Sequence, residues 1–138
     1  MNLRLISGAG VALALAVLSA TSAAAYQRAV GTVYFDWNSA KLNAKATAVV
    51  REWAPKAKKC ENNGVRVVGH TDMSHTFEES SVLATDRAKA VRDALVKLGV
   101  ADGAIGVVGH SQAELAKPTA NGVKEPLNNR AEIILVCD

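Results

Sequence analysis

The four letters VVGH occur twice in this chain, at Val67–His70 and again at Val107–His110. Each copy closes a run of β-branched residues, which is typical of a strand, and each continues into a polar turn. Between the copies, apolar residues recur at helical spacing from about Glu79 to Leu98, which predicts a long helix. A strand, a helix and a second strand form a parallel βαβ unit with a right-handed crossover. We therefore expect two neighbouring parallel strands that end at the same edge of a sheet.

Two more strands and one more helix are predicted outside this unit. The strands are Val30–Phe35 and Ala131–Cys137, and the helix begins near Asn43. Pro55 lacks a backbone donor and crowds the preceding turn, so we expect this helix to kink or end near Ala54. The last strand follows a long loop and is expected to run antiparallel to its neighbour. The order β-α-β-α-β-β predicts an α+β fold, a two-layer sandwich with helices on one face of a mixed sheet.

The first 25 residues have the layout of a secretory signal peptide. A single positive charge, Arg4, precedes an apolar stretch that is shorter than a membrane span, and small residues follow up to Ala25. A membrane helix is the less favoured alternative. We expect cleavage after Ala25, which leaves residues 26–138 as one secreted domain with no membrane span and no lipid-attachment cysteine near the cleavage point.

Charge and cysteine content restrict the partners and the compartment. The net charge is only +3, and no basic stripe with interleaved aromatic residues is present, so nucleic acid is not an expected partner. The two cysteines are Cys60 and Cys137. Secretion permits oxidation, and the even count favours a disulfide between them over two separate buried thiols.

The second VVGH copy resembles the start of a serine hydrolase elbow, but its surroundings argue against catalysis. The motif Gly-x-Ser-x-Gly requires a final glycine where this chain has Ala113. That fold also places its acid and its histidine after the serine, and no histidine follows Ser111. The chain is therefore not expected to be a serine hydrolase, and no catalytic residue is predicted.

A metal site is the other alternative that the histidines suggest. His70, Asp72, His75 and His110 could converge on zinc if the two strands are adjacent. No compact metal-binding motif is present, so we favour histidines that bond to loop backbone. The sequence thus predicts no metal and no cofactor.

An acidic and a basic side chain flank the predicted crossover. Asp72 lies at the end of a strand, and Arg87 lies in the early turns of the helix that follows. In a βαβ unit these two places face the same crevice. The two groups could hold a ligand between them, or they could pair with each other, in which case an exposed pair would contribute only about 0–1 kcal/mol.

Four segments together resemble the OmpA-like domain, the peptidoglycan-binding module of outer membrane protein A and its relatives. They are, in order, VYFDWNSAKLN, GHTD, LATDRAKAV and NNRAEIIL. The resemblance covers about residues 30–137 and implies that residues 26–138 form one OmpA-like domain.

The resemblance implies a non-covalent contact with bacterial cell wall, through the diaminopimelate residue of the stem peptide. The end of that residue carries an ammonium and a carboxylate on one carbon. Asp72 would accept hydrogen bonds from the ammonium, and Arg87 would bind the carboxylate, preferably through two parallel N–H groups. Thr71, Ser80 and Arg130 are further candidate ligand-binding residues. The protein would be periplasmic and associated with the wall or the outer membrane, with envelope proteins as other candidate partners.

Three positions depart from the family pattern around this site. Ser80 replaces an asparagine, Ala84 replaces a serine, and Asn129 replaces the first arginine of the closing motif. If each lost contact costs about 1 kcal/mol, affinity falls by about a hundredfold or more. The runner-up interpretation is therefore a periplasmic structural or protein-interaction module whose wall-binding cleft has degenerated.

Overall fold

The computed structural model describes residues 27–62 and 64–137. It contains strands β1 (Gln27–Tyr34), β2 (Val65–His70), β3 (Ile105–Ser111) and β4 (Arg130–Cys137), and helices α1 (Ala44–Lys59) and α2 (Phe77–Lys97). The predicted signal peptide lies outside the described residues. None of the helices within them is both long and apolar enough to span a membrane.

The four strands form one mixed sheet in the order β1-β4-β2-β3. The two VVGH copies are parallel neighbours, with Val67 opposite Val107 and Gly69 opposite Gly109. Strand β4 lies between β1 and β2 and is antiparallel to both. The two helices contact each other, with α2 over β2 and β3 and α1 over β1 and β4. The predicted two-layer α+β fold is confirmed.

The core lies between the helices and one face of the sheet. Strand residues on this face alternate with residues on the other face, because successive side chains of a strand point in opposite directions. Val33, Val67, Ile133 and Leu135 are fully or almost fully buried there against Val91 and Leu95 of α2 and Val50 of α1, among others. This single apolar layer holds the two helices on the same side of the sheet.

Helix boundaries follow local capping groups. Helix α2 begins two residues earlier than the apolar pattern predicts because Thr76 and Glu79 form a capping box. It ends at Lys97, and Gly99, two residues beyond, has a φ of 96° that suits a residue without Cβ. The amide of Gly99 donates to the carbonyl of Val96, and the amide of Val100 donates to that of Leu95.

The prediction that α1 could end near Ala54 is wrong. The helix continues through Pro55 to Lys59. An interior proline costs about 3 kcal/mol, but Ala57 and Cys60 beyond it are buried in the core. Cys60 is also joined to Cys137 by the disulfide that the sequence favours, with the two Cα atoms 5.1 Å apart. These contacts hold the last turn in place.

Replacement of both cysteines by serine should reduce the free energy of unfolding by about 2–5 kcal/mol, because the disulfide restricts the unfolded chain over a long loop. Urea unfolding of Cys60→Ser/Cys137→Ser with and without dithiothreitol measures this. Dithiothreitol should lower the free energy of unfolding of the wild type by the same amount. It should not change that of the double variant. Two titratable thiols in the protein isolated from an oxidising compartment would contradict the pairing.

The glycines of VVGH allow α2 to lie directly on the sheet. A Cβ at Gly69 would collide with the carbonyl oxygen of Ala84, and one at Gly109 would collide with Thr85. Both helix residues belong to α2, so each copy of the motif needs its glycine for the same packing reason.

We expect Gly69→Ala to lower the free energy of unfolding by about 1–3 kcal/mol or more, because the backbone of α2 must shift. Gly106→Ala is the matched control. It lies in the neighbouring strand, and the nearest atom to its added Cβ is 4.0 Å away. Equal stability of the two variants in urea unfolding would refute the packing argument.

Candidate ligand-binding cleft

Asp72 is a buried carboxylate just beyond the end of β2. Its Oδ1 accepts hydrogen bonds from the amide and the hydroxyl of Ser74, and its Oδ2 accepts from the amide of Glu125 and the side chain of Asn129. Burial alone would raise the pKa of Asp72. The hydrogen bonds from Ser74, Asn129 and Glu125 outweigh burial and hold the pKa below its usual value. Asp72 is therefore ionised at neutral pH.

Arg87 projects from α2 and is fully buried. Its Nε donates to the carbonyl of Ser39 at 2.8 Å, and its Nη2 donates to that of Asp36 at 3.1 Å. Its Nη1 donates to the carbonyl of His70 at 2.8 Å and to the side chain of Asn129 at 2.9 Å. Burial lowers the pKa of Arg87 to about 10, while the negative charge of Asp72 opposes this effect. The guanidinium stays charged at neutral pH.

Asn129 connects the two charged groups. Its Nδ2 donates to Asp72 at 2.9 Å, and its Oδ1 accepts from Arg87 at 2.9 Å. This amide orientation is fixed by chemistry, because a carboxylate only accepts hydrogen bonds and a guanidinium only donates them. The structure thus links Asp72 to Arg87 through a bridging amide, and among the described residues no direct ion pair joins these two.

A small cleft of about 200 Å³ opens beside Asp72. The ammonium of Lys124 stands at its edge, 3.7 Å from the centre of the Trp37 ring. The indole N–H of Trp37 donates to the hydroxyl of Ser74, which itself donates to Asp72. The cleft is lined by Phe35, Asp36, Trp37, Asp72, Lys124, Glu125, Pro126 and Asn129. It therefore places one buried carboxylate next to an exposed cation and an aromatic face.

Of the five predicted ligand-binding residues, only Asp72 lines this cleft, and Arg87 is buried behind it, bonded to Asn129. Thr71 is buried, and its amide donates to the carbonyl of Ser111. Ser80 is buried in α2, where its hydroxyl accepts a hydrogen bond from Gln112. Arg130 lies on the opposite face of the sheet.

Sequence reasoning missed the contributions of Asn129, Lys124 and Trp37. Asn129 was visible only as a departure from the family pattern, and its bridging role depends on partners 42 and 57 residues away. Trp37, in the Phe-Asp-Trp-Asn turn, was the one local signal of a cleft wall. Lys124 lies in a loop with no periodic pattern.

The histidines are divided between two places. His75 lies beside the cleft, stacked on Trp37 with its Nδ1 3.8 Å from Asp72. His70 and His110 lie together on the other face of the sheet, with ring centres 5.7 Å apart. Burial and, to a smaller extent, the charge of Arg130 lower the pKa of His70 to about 4. The four-residue cluster considered as a zinc site therefore does not converge as a whole.

Ser111 lacks the accessibility that a nucleophile requires. Its φ of 53° is unusual for a serine, but the residue is only 5% exposed and its hydroxyl is buried. No histidine donates to it or accepts from it within the described ranges.

Comparison with known proteins identifies the fold family. The model of the OmpA family matches residues 34–129. The chain belongs to the OmpA family. It is 35% identical to the peptidoglycan-associated lipoprotein of Pseudomonas putida, over 86% of this chain and 70% of that protein. It is 33% identical to an outer membrane protein of Gluconacetobacter diazotrophicus, over 75% of this chain.

The chain spans only part of some of these relatives. It covers 29% of the Gluconacetobacter protein and 29% of outer membrane porin F of Pseudomonas aeruginosa. The crystal structure of the peptidoglycan-associated lipoprotein from Burkholderia pseudomallei superposes with a TM-score of 0.68 at 28% identity, over 75% of this chain and 87% of that one. These similarities agree with the prediction of a binding protein rather than an enzyme.

Replacement of Asn129 by leucine, of similar size, should lower the free energy of unfolding by about 2–4 kcal/mol. The change leaves a buried carboxylate and a buried guanidinium each without one hydrogen bond. Asn121→Ala, on an exposed turn, is the control. A loss for Asn129→Leu no larger than that of the control, measured by urea unfolding, would contradict the bridging role.

Proposed function

We propose that this chain binds peptidoglycan in the periplasm, through the diaminopimelate residue of the stem peptide. The observation that carries this proposal is the ionised carboxylate of Asp72 at a small cleft, with the charge of Arg87 behind it and that of Lys124 at the edge. Family membership and the names of the lipoprotein relatives support the wall as the ligand.

The cleft is chemically suited to a small zwitterion. The free end of diaminopimelate carries an ammonium and a carboxylate on one carbon, and the anion and cation of the site must therefore lie close together. Asp72 is the acceptor for the ammonium. It already accepts four hydrogen bonds, which is about the number that a carboxylate can take. The ammonium therefore has to replace one of them, and the hydroxyl of Ser74 is the one that can rotate away.

The arrangement of Arg87 restricts how the ligand carboxylate is held. A guanidinium has five N–H donors, and four of those of Arg87 already bond to Ser39, His70, Asp36 and Asn129. A two-point clamp on the ligand is therefore not available in this conformation. We assign the direct contact with the carboxylate to Lys124, assisted by the positive charge of Arg87 behind the cleft.

Asp72→Asn should reduce retention on purified diaminopimelate-type peptidoglycan at least about tenfold, because a neutral amide does not attract the ammonium. Lys124→Gln should cause a smaller loss, since the lysine is exposed. Asp86→Asn, a carboxylate on the exposed side of α2, is the matched control and should bind like the wild type. Circular dichroism and thermal unfolding confirm that each variant is folded.

Lysine-type peptidoglycan provides the ligand control, because its stem residue has the ammonium without the adjacent carboxylate. Preferential retention on diaminopimelate-type wall supports the assignment. Equal retention of wild type and Asp72→Asn on the diaminopimelate-type wall would refute Asp72 as the ammonium site.

One observation favours a second candidate function, a protein-interaction module of the envelope. Asn129, which replaces the first arginine of the family motif, donates a hydrogen bond to Asp72 and accepts one from Arg87. The site is therefore stable without a ligand. If the wild type is retained on neither wall type, this candidate is favoured over wall binding.

A further inference from the structure

The two VVGH copies place two histidines side by side on the face of the sheet that the helices do not cover. Gly69 and Gly109 face α2, so the next residue of each strand, His70 or His110, faces the other way. The register shifts at this point, and His70 pairs with Ser111. Such a bulge re-aims side chains at the end of a strand, and here the two rings meet edge to face, 5.7 Å apart.

His70 is fully buried in this arrangement, yet neither of its ring nitrogens has a hydrogen-bond partner among residues 27–62 and 64–137. A buried polar group without a partner is costly. Such a group in a native fold calls for an explanation, and a bound ligand is one.

A carboxylate completes the cluster. Glu114 lies in the loop after β3, with its Oε2 3.1 Å from Nδ1 of His110. One donor atom from each of His70, His110 and Glu114 lies within 4.8 Å of the other two. The side chain of Glu114 is 63% exposed and that of His110 is 35% exposed, so an ion can enter from solvent and the outer two ligands can adjust. The donors must move closer to reach the separation of about 3.3 Å that zinc bonds of about 2.0 Å imply, and the partly exposed side chains of His110 and Glu114 can make that adjustment.

The surrounding charges fit a cation held by histidine. Glu132 of β4 places its Oε2 3.5 Å from Nε2 of His70. Metal-binding histidines commonly donate their second ring N–H to a carboxylate, which fixes the tautomer. Arg130 also lies nearby, and its Nε is 3.1 Å from Oε1 of Glu132, which reduces the repulsion between Arg130 and a bound cation.

We propose that His70, His110 and Glu114 form a binding site for a divalent transition-metal ion of the zinc class. Two imidazoles and one carboxylate form a zinc ligand set that leaves a fourth position for water. His70 is the buried ligand, oriented by Glu132, and His110 and Glu114 close over the ion from the solvent side. This site lies on the opposite face of the sheet from the proposed wall-binding cleft and does not depend on that function.

Titration of the tag-free chain with zinc chloride in a calorimeter tests the proposal. One ion should bind per chain, and His110→Ala and Glu114→Gln should each weaken binding at least about tenfold. His75→Ala and Glu78→Gln are the matched controls. His75 is the one of the three histidines that lies outside the proposed site, and Glu78 is an exposed carboxylate on α2. Both control variants should bind zinc like the wild type.

His70 is tested without mutation, because replacement of a buried ring can unfold the protein. Zinc should shift the ring nitrogen resonances of His70 and His110 in NMR spectra and leave those of His75 unchanged. The proposal is overturned by the absence of binding at millimolar zinc, by His110→Ala or Glu114→Gln binding like the wild type, or by unchanged His70 resonances at saturation.

Discussion

The buried guanidinium of Arg87 is the contact on which the functional end of this molecule depends. It joins α2 to the turn after β1, to the end of β2 and to the residue that precedes β4. Burial of a lone cation would be strongly unfavourable, but four hydrogen bonds and the charge of Asp72 across Asn129 offset the cost. The same contacts position the walls of the cleft, so stability and binding geometry have a common origin.

Strand β2 connects the two proposed sites through His70. The backbone carbonyl of His70 accepts a hydrogen bond from Arg87 on the cleft side, while its ring lies next to His110 on the other side. The glycine before it permits close packing of α2. This copy of VVGH thus fixes the position of α2, accepts a hydrogen bond from Arg87 and supplies one member of a histidine pair.

The fold was predictable from sequence because its signals are local. The repeated motif and the helix between the copies fixed the parallel pair, and the capping box at Thr76 explains why α2 begins earlier than periodicity predicts. Pro55 was misjudged because the burial of Ala57 and Cys60 is a tertiary effect. At the candidate ligand-binding cleft, sequence reasoning indicated only the two charged residues, Asp72 and Arg87. The bridge through Asn129 joins residues distant in the chain, and the places of Ser80 and Arg130 depend on which face of an element each residue occupies.

The central claim is that Asp72 accepts the ammonium of diaminopimelate, and the amides that bond to Asp72 report on it directly. The backbone N–H groups of Ser74 and Glu125 both donate to this carboxylate. In an NMR titration with a diaminopimelate-containing stem peptide, the account predicts saturable shifts of these two amide signals. Saturable shifts elsewhere in the domain, with the signals of Ser74 and Glu125 unmoved, would contradict it.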